Sequence, residues 1–367
     1  MPHVKNSKKI RVLIAEDSPL IQKLLIKILS EDSVFEVVGV ASSGVEAVKL
    51  SRLFKPDIIS MDLMMPLMDG LEATKRIMQT NPVPVVIVSS IYKPEEIHLA
   101  VKELDSGAVA ILPKPEGPGS ERFIKDASKY RNMLKIMSEI RVVRRPNNIP
   151  ASQEQKFKKN IIKCSPPEQT EIIAIGASAG GPESLREILT NLTYPLNAPI
   201  IIVQHIDVHF VEGFSLWLQQ YAKCRVKLAD EGEQLLKNTI YIAPGKRHIT
   251  IKKPLTVYLS TPKEGENGHI PSIDFLMESI ANCYGNRAVA ILLSGMGRDG
   301  AQGIYQAMLS GSYTIAQNQE SCLIYGMPAE AVKIGAVCKV MPPFEIAQEI
   351  NRLLMSKPDN TRNNNGK

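Results

Sequence analysis

The sequence lacks any apolar run near the roughly 20 residues that a membrane-spanning helix requires, so no membrane insertion is expected. The basic start, MPHVKNSKKI, leads only into RVLIA, a strand-length run that ends in acids. A secretory signal needs a longer apolar core, so none is expected and a cytoplasmic location is. Cysteine is sparse. Cys164, Cys224, Cys283, Cys322 and Cys338 are odd in number, widely spaced and without a Cys-x-x-Cys pair. That pattern argues against a zinc or disulfide framework and predicts reduced thiols. Strong charge of one sign is also missing. The net charge is +6, and Arg141, Arg144, Arg145, Lys156, Lys158, Lys159 and Lys163 supply much of it. A solvated basic linker accounts for these charges, so no nucleic-acid partner is expected. No internal repeat is present.

The chain is long enough, at 367 residues, for two domains of ordinary size. Strand-like apolar runs alternate with amphipathic stretches from the start. RVLIA (11–15), VFEVVGVA (34–41), DIISMD (57–62), PVVIVSS (84–90) and AVAIL (108–112) each precede a helical pattern, over 19–30, 44–53, 70–79, 94–104 and from about 120. Such alternation predicts an α/β domain with a doubly wound parallel sheet, over 9–130. Residues 131–170 read as a helix end and then a polar, proline-bearing linker. A second alternation begins at EIIAIG (171–176) and continues through PIIIVQ (199–204), AVAILL (288–293) and YTIAQ (313–317). It predicts a second doubly wound parallel domain over 171–355. The tail 356–367 has the composition of a disordered segment.

In open parallel sheets, function collects at the carboxyl ends of the strands. In the first domain those ends carry Glu16 and Asp17, then Asp62, then Ser89, then Lys114 before Pro115. Three converging carboxylates repel one another unless a cation binds, and hard oxygen ligands suit Mg²⁺. A carboxylate beside Mg²⁺ can attack a phosphoryl group, with Lys114 and Ser89 meeting the phosphoryl oxygens. The ordered set resembles a response-regulator receiver domain. That resemblance implies Asp62 as phosphoacceptor, Glu16, Asp17 and Asp62 as the metal site, and Ser89 and Lys114 as phosphate-sensing residues. Ile111 departs from it, standing where receivers usually carry an aromatic.

The second domain opens on Gly-Ala-Ser-Ala-Gly at 176–180. A dinucleotide fingerprint would need glycine where Ser178 stands and an acid near the end of the next strand. That strand ends instead in Gln204-His205. The alternative is a nucleophile on a strand-to-helix turn. The strand AVAILL runs into Ser-Gly-Met-Gly-Arg-Asp-Gly at 294–300. Ser178, His205 and Asp299 can therefore meet at one sheet edge as nucleophile, base and orienting acid. Met296 is a candidate oxyanion donor through its backbone N–H. His205 and His209 have a spacing found in zinc proteases, but Ile206 stands where the glutamate would be. His248 reads as structural, and Ser272, after His269 and Pro271, as a helix cap.

Residues 171–350 resemble the catalytic domain of the chemotaxis protein-glutamate methylesterases. The resemblance rests on Gly-Ala-Ser-Ala-Gly-Gly (176–181), Gln-His (204–205), Ala-Pro-Gly-Lys-Arg-His (243–248), His-Ile-Pro-Ser-Ile-Asp (269–274), Ser-Gly-Met-Gly-Arg-Asp-Gly (294–300) and Tyr-Gly-Met-Pro (325–328). It implies hydrolysis of glutamyl methyl esters, and deamidation of glutamines, on chemoreceptor cytoplasmic helices. It also implies a chemotaxis histidine kinase as phosphodonor and no metal in the catalytic domain. Ala179 and Ile206-Asp207 depart from the family's usual residues. The competing reading is a non-enzymatic interaction module switched by phosphorylation.

Overall fold

The computed structural model describes residues 9–90, 101, 107–140, 165–263 and 268–355. The helix expected over 94–104 falls outside these residues except at Val101, as do the basic stretch 141–163 and the tail 356–367. The chain divides into two compact units, Met1–Pro150 and Ala151–Lys367.

In the first unit the strands are β1 (Ile10–Ala15), β2 (Phe35–Ala41), β3 (Ile58–Met61), β4 (Val85–Ser89) and β5 (Ala110–Pro113). They form one sheet in the order β2-β1-β3-β4-β5. Every pairing is parallel. The described helices are α1 (Pro19–Ser30), α2 (Gly44–Phe54), α3 (Gly70–Thr80) and α4 (Phe123–Met137). The inner strands β3 and β4 are buried at every residue. Helices on both faces produce that pattern, which is why these strands read as continuous apolar runs rather than alternating ones. The order reverses between β1 and β3, so the loops after these strands open one crevice.

The second unit contains β6 (Ile172–Ala177), α5 (Gly181–Thr190), β7 (Ile200–Gln204), α6 (Val211–Gln219), β8 (Arg225–Leu228) and β9 (Thr239–Ile242). It continues with β10 (His248–Lys252), β11 (Thr256–Ser260), α7 (Ile273–Tyr284), β12 (Ala288–Leu292), α8 (Ala301–Leu309), β13 (Tyr313–Gln317), α9 (Met327–Lys333), β14 (Lys339–Met341) and α10 (Pro343–Leu354). Seven of these strands make a parallel sheet in the order β14-β13-β12-β6-β7-β9-β8. β10 and β11 pair antiparallel as a separate hairpin. The chain leaves β6 to one side and returns on the other at β12. The crevice beyond the ends of β6 and β12 is thus this sheet's reversal point.

Both units are the doubly wound parallel architecture that the sequence predicts. The cysteine expectation needs correction. Cys338 is disulfide-bonded, whereas Cys224, Cys283 and Cys322 are free. Separation along the chain carries no information on separation in the fold, so wide spacing was a poor guide.

Candidate active site and phosphoacceptor site

The crevice between β1 and β3 gathers Glu16, Asp17 and Asp62. One carboxylate oxygen from each lies within 4.8 Å of the others. Lys114, just past β5, places Nζ 2.8 Å from Glu16 Oε2 and 3.0 Å from Asp62 Oδ2. Glu16 and Asp62 are 1% and 4% exposed. Burial raises the pKa of both carboxyls above the usual range, although Lys114 works the other way. Burial works against the Lys114 charge as well, but Asp62 and Glu16 outweigh it and raise its pKa. Lys114 thus bridges two of the three acids. The hard oxygen donors and the surplus of negative charge suit a small divalent cation. Ser89 closes β4, and its carbonyl accepts from the Lys114 N–H at 2.9 Å. That ladder bond places the Ser89 and Lys114 side chains at neighbouring strand ends. Ile111 is buried within β5.

In the second unit, β6 and β7 run in register to Ala177 and Gln204. The His205 N–H still donates to Ala177 O at 2.9 Å. Ser178 and His205 are thus the next residues of two adjacent strands. The chain turns sharply at Ser178: the Gly181 N–H returns to Ser178 O at 2.9 Å, and α5 starts there with Pro182 in its first turn. Gly180 makes this turn possible. Its φ is +77°, and a Cβ there would lie 2.4 Å from Leu323 Cβ and 2.6 Å from Ser294 Oγ. Gly295 is required on the other side, because a Cβ would come within 2.6 Å of Ser178 Cβ.

Asp299 joins His205. Its Oδ2 lies 2.8 Å from His205 Nε2, and the two side chains are 12% and 6% exposed. The same carboxylate accepts from Ile273 N (2.8 Å), Asp274 N (3.2 Å), Ser272 Oγ (2.9 Å) and Gly300 N (3.0 Å). Two of these donors are N–H groups opening α7. Ser272 does occupy the cap position of that helix, but its hydroxyl makes no cap bond. It donates to Asp299, whose stronger acceptor takes over the capping. Burial opposes ionisation of Asp299. The bond to His205, its charge and the backbone donors outweigh burial and hold the carboxyl well below the usual range.

Among the described residues no hydrogen bond joins Ser178 Oγ to His205. The other ring nitrogen, His205 Nδ1, is buried without a partner. It is the ring atom left for Ser178, since Nε2 is engaged by Asp299. His269, exposed at the rim, stacks on the His205 ring with centroids 4.0 Å apart and 16° between planes. Met296 is 36% exposed in the turn after β12. Among the described residues its N–H has no acceptor. Behind the turn lies a buried polar network. Ser294 O accepts from the Ser178 N–H (3.0 Å), and Ser294 Oγ donates to Ala179 O (2.8 Å). Gln317 Oε1 accepts from Ser294 N (2.8 Å) and Ser184 Oγ (3.0 Å). Asp274 sits beside Asp299 and accepts from Gly303 N at 2.6 Å. Burial, together with the neighbouring Asp299, pushes its carboxyl up to about 6.

Other histidines stand apart from this chemistry. His248 is buried, accepts from the Ser272 N–H at 3.1 Å and stacks on Phe275. His209 pairs with Asp207 at 2.6 Å, and Asp207 also receives the His209 N–H. Sequence reasoning missed Gln204, Asp274, Ser294 and Gln317 as parts of the site. Gln204, Asp274 and Ser294 lay inside motifs already singled out. Gln317 ends β13, which is separated from the strand leading to Ser178 by β12 alone, and that strand-end position was the available signal.

The family model for CheB methylesterase matches residues 173–350, and that for the response regulator receiver domain matches residues 12–122. A protein-glutamate methylesterase/protein-glutamine glutaminase of Nitrosospira multiformis is 38% identical over 348 residues, spanning 95% of this chain and 98% of that protein. A protein of the same name, numbered 1, from Syntrophus aciditrophicus is 40% identical over 347 residues, spanning 94% and 98%. The crystal structure of the Thermotoga maritima CheB methylesterase catalytic domain is 32% identical, covers 50% of this chain and 99% of that one, and superposes with a TM-score of 0.48. The chain therefore belongs to the CheB methylesterase family, in the form that carries a response-regulator receiver domain at its N-terminal end.

Proposed function

We propose that this chain is a serine hydrolase that removes methyl esters from protein glutamates and deamidates protein glutamines, under control of phosphorylation at Asp62. The observation that carries this reading is the buried His205–Asp299 bond at the strand end beside Ser178. With its Nε2–H given to an ionised Asp299, neutral His205 offers a lone pair at Nδ1. Ser178 gives its proton to Nδ1 as Oγ attacks the ester carbonyl. Asp299 stabilises the imidazolium that forms. The Met296 N–H meets the developing oxyanion, a contribution worth roughly 3–4 kcal/mol in comparable sites; at the start of α5 the Gly181 N–H is already given to Ser178 O and Pro182 has none. The imidazolium then protonates the departing methoxide as methanol, or ammonia when the substrate is glutamine. Water repeats the sequence on the acyl-serine and frees the carboxylate.

In the receiver, Asp62 is the acceptor and Glu16, Asp17 and Asp62 would hold Mg²⁺. The ion supplies charge neutralisation at the phosphoryl oxygens. Lys114 and Ser89 bind those oxygens once Asp62 carries them. The boundaries proposed are 9–130 for the receiver, 131–170 for the connection and 171–355 for the catalytic domain. The substrates proposed are chemoreceptor cytoplasmic helices, with a chemotaxis histidine kinase as phosphodonor and the cytoplasm as location. No helix among the described residues is long and apolar enough to cross a membrane.

The test uses full-length protein and receptor membranes labelled in the methyl group. Ser178→Ala should abolish methanol release. Acetyl phosphate with Mg²⁺ should raise release by wild type and leave Asp62→Ala unchanged. Undiminished release by Ser178→Ala would overturn the enzyme reading, and no response of wild type to phosphodonor would overturn the regulatory one.

A further inference from the structure

Gln204 is the last residue of β7 and is 5% exposed. Its side-chain Nε2 donates to two backbone carbonyls, Ser178 O at 2.8 Å and His205 O at 3.1 Å. A primary amide has two N–H donors, so one group can serve both acceptors. The β6–β7 register ends at Ala177 and Gln204, so no ladder partner orients these two carbonyls; Ser178 O has the Gly181 N–H as its other donor. A carbonyl's direction fixes its peptide plane, and with it the direction of the neighbouring Cα–Cβ bonds. The amide of Gln204 therefore spans the two strand ends that carry the nucleophile and the base.

The other end of the amide is held by packing. A Cβ placed on Gly181 would come within 2.5 Å of Gln204 Oε1. The oxygen lies against the first turn of α5 and is buried without a hydrogen-bond partner. Natural sequences seldom bury an amide oxygen unsatisfied without a compensating role. The opposite rotamer of the amide would aim Oε1 at two carbonyl oxygens, so the observed orientation is the only one that bonds them.

We infer that Gln204 is a positioning residue for hydrolysis: its amide clamps the Ser178 and His205 carbonyls and fixes Ser178 Oγ relative to the imidazole. The inference rests on Ser178 and His205 being nucleophile and base. Gln204 touches no substrate. Its effect should fall on kcat and leave substrate affinity alone, because misplacement of the nucleophile by about 1 Å can cost on the order of 100-fold.

The decisive variant is Gln204→Glu in the full-length chain, which keeps the shape and removes both N–H donors. Gln204→Met provides a second, uncharged version. Methanol release from methyl-labelled receptor membranes gives kcat and KM, and a fluorophosphonate probe gives the labelling rate of Ser178. Circular dichroism gives the melting temperature. Both variants should lose about 10- to 100-fold in kcat and in labelling rate, with KM within about twofold and a cooperative melt retained. The ratio of Gln204→Glu to wild-type kcat should rise as pH falls, because the protonated carboxyl regains one donor. A folded variant with kcat and labelling rate within about twofold of wild type would overturn the inference. So would a loss that merely tracks the unfolded fraction. If Ser178→Ala is inactive while the Gln204 variants are fully active, only the positioning inference fails. If Ser178→Ala is itself active, the hydrolytic reading fails first.

Discussion

Asp299 and Asp274 are neighbouring carboxyls that the structure drives in opposite directions. Asp299 meets His205 and four other donors and stays ionised; Asp274, half-buried beside that charge, is pushed up to about 6. The consequences for stability have opposite signs. A raised folded pKa means that the folded state holds the proton more tightly, so Asp274 stabilises most below its unfolded value near 4 and loses this as pH rises towards 6. A depressed pKa means that Asp299 stabilises at neutral pH and loses this as pH falls below about 4. In Asp274→Asn the fall in stability between about pH 4 and 6 should shrink, and the variant should gain on the order of 1 kcal/mol over wild type at pH 7, allowing for solvent screening at a half-buried site. Urea denaturation across that range measures both, and an unchanged pH slope would exclude the assignment. For Asp299→Asn, the amide would donate to His205 Nε2 and move the imidazole proton to Nδ1, the atom proposed to take the Ser178 proton. A kcat lower by about 10⁴-fold is expected. The positions of Asp62, Ser178 and His205 were legible because each stands just past a strand end recognisable in sequence, and that of Asp299 because it lies in the glycine-rich turn after another. Ser294 was not, because its bond to Ala179 O joins residues 115 apart.

Elements set these residues in place through where strands stop and helices start. In both sheets the proposed sites fall where strand order reverses, beyond β1 and β3 in one and beyond β6 and β12 in the other. The alternation of apolar runs and amphipathic helices made the strands and their parallel pairing readable. Helices α1, α2 and α3 begin and end within one residue of expectation, and α4 begins within about three. β14 escaped notice because Lys339–Met341 is only three residues long and only partly buried. The β10–β11 hairpin pairs antiparallel apart from the main sheet, and β10 packs against α7. The N-terminus of α7 was read correctly in position and incorrectly in chemistry, because a carboxylate from a distant turn displaced the local serine. Asp299→Ala should therefore weaken the fold as well as the chemistry. A loss of about 1–3 kcal/mol is expected from the missing cap and hydrogen bonds. Hydrogen exchange should show faster opening of the amides at Ile273 and Asp274. Unchanged protection there would mean that the cap carries no stability.

For the molecule as a whole, the sequence disclosed two units, their order and their architecture. It concealed the disulfide at Cys338, whose formation depends on proximity in three dimensions. Cation binding to the receiver should be visible in the intact chain. Millimolar Mg²⁺ should raise the receiver's melting transition by a few degrees through binding to the folded state alone. Asp62→Ala should abolish the rise, and calorimetry of the full-length protein distinguishes the outcomes. If Asp299 has the role proposed for it, selection on such a chain acts differently there than at most catalytic positions. Active-site groups commonly oppose stability, so mutations that harden an enzyme against heat tend to blunt it. Here the acid that orients His205 also caps α7, and the two demands coincide. Drift at this position would be penalised twice over, and directed evolution for heat tolerance has no reason to disturb it.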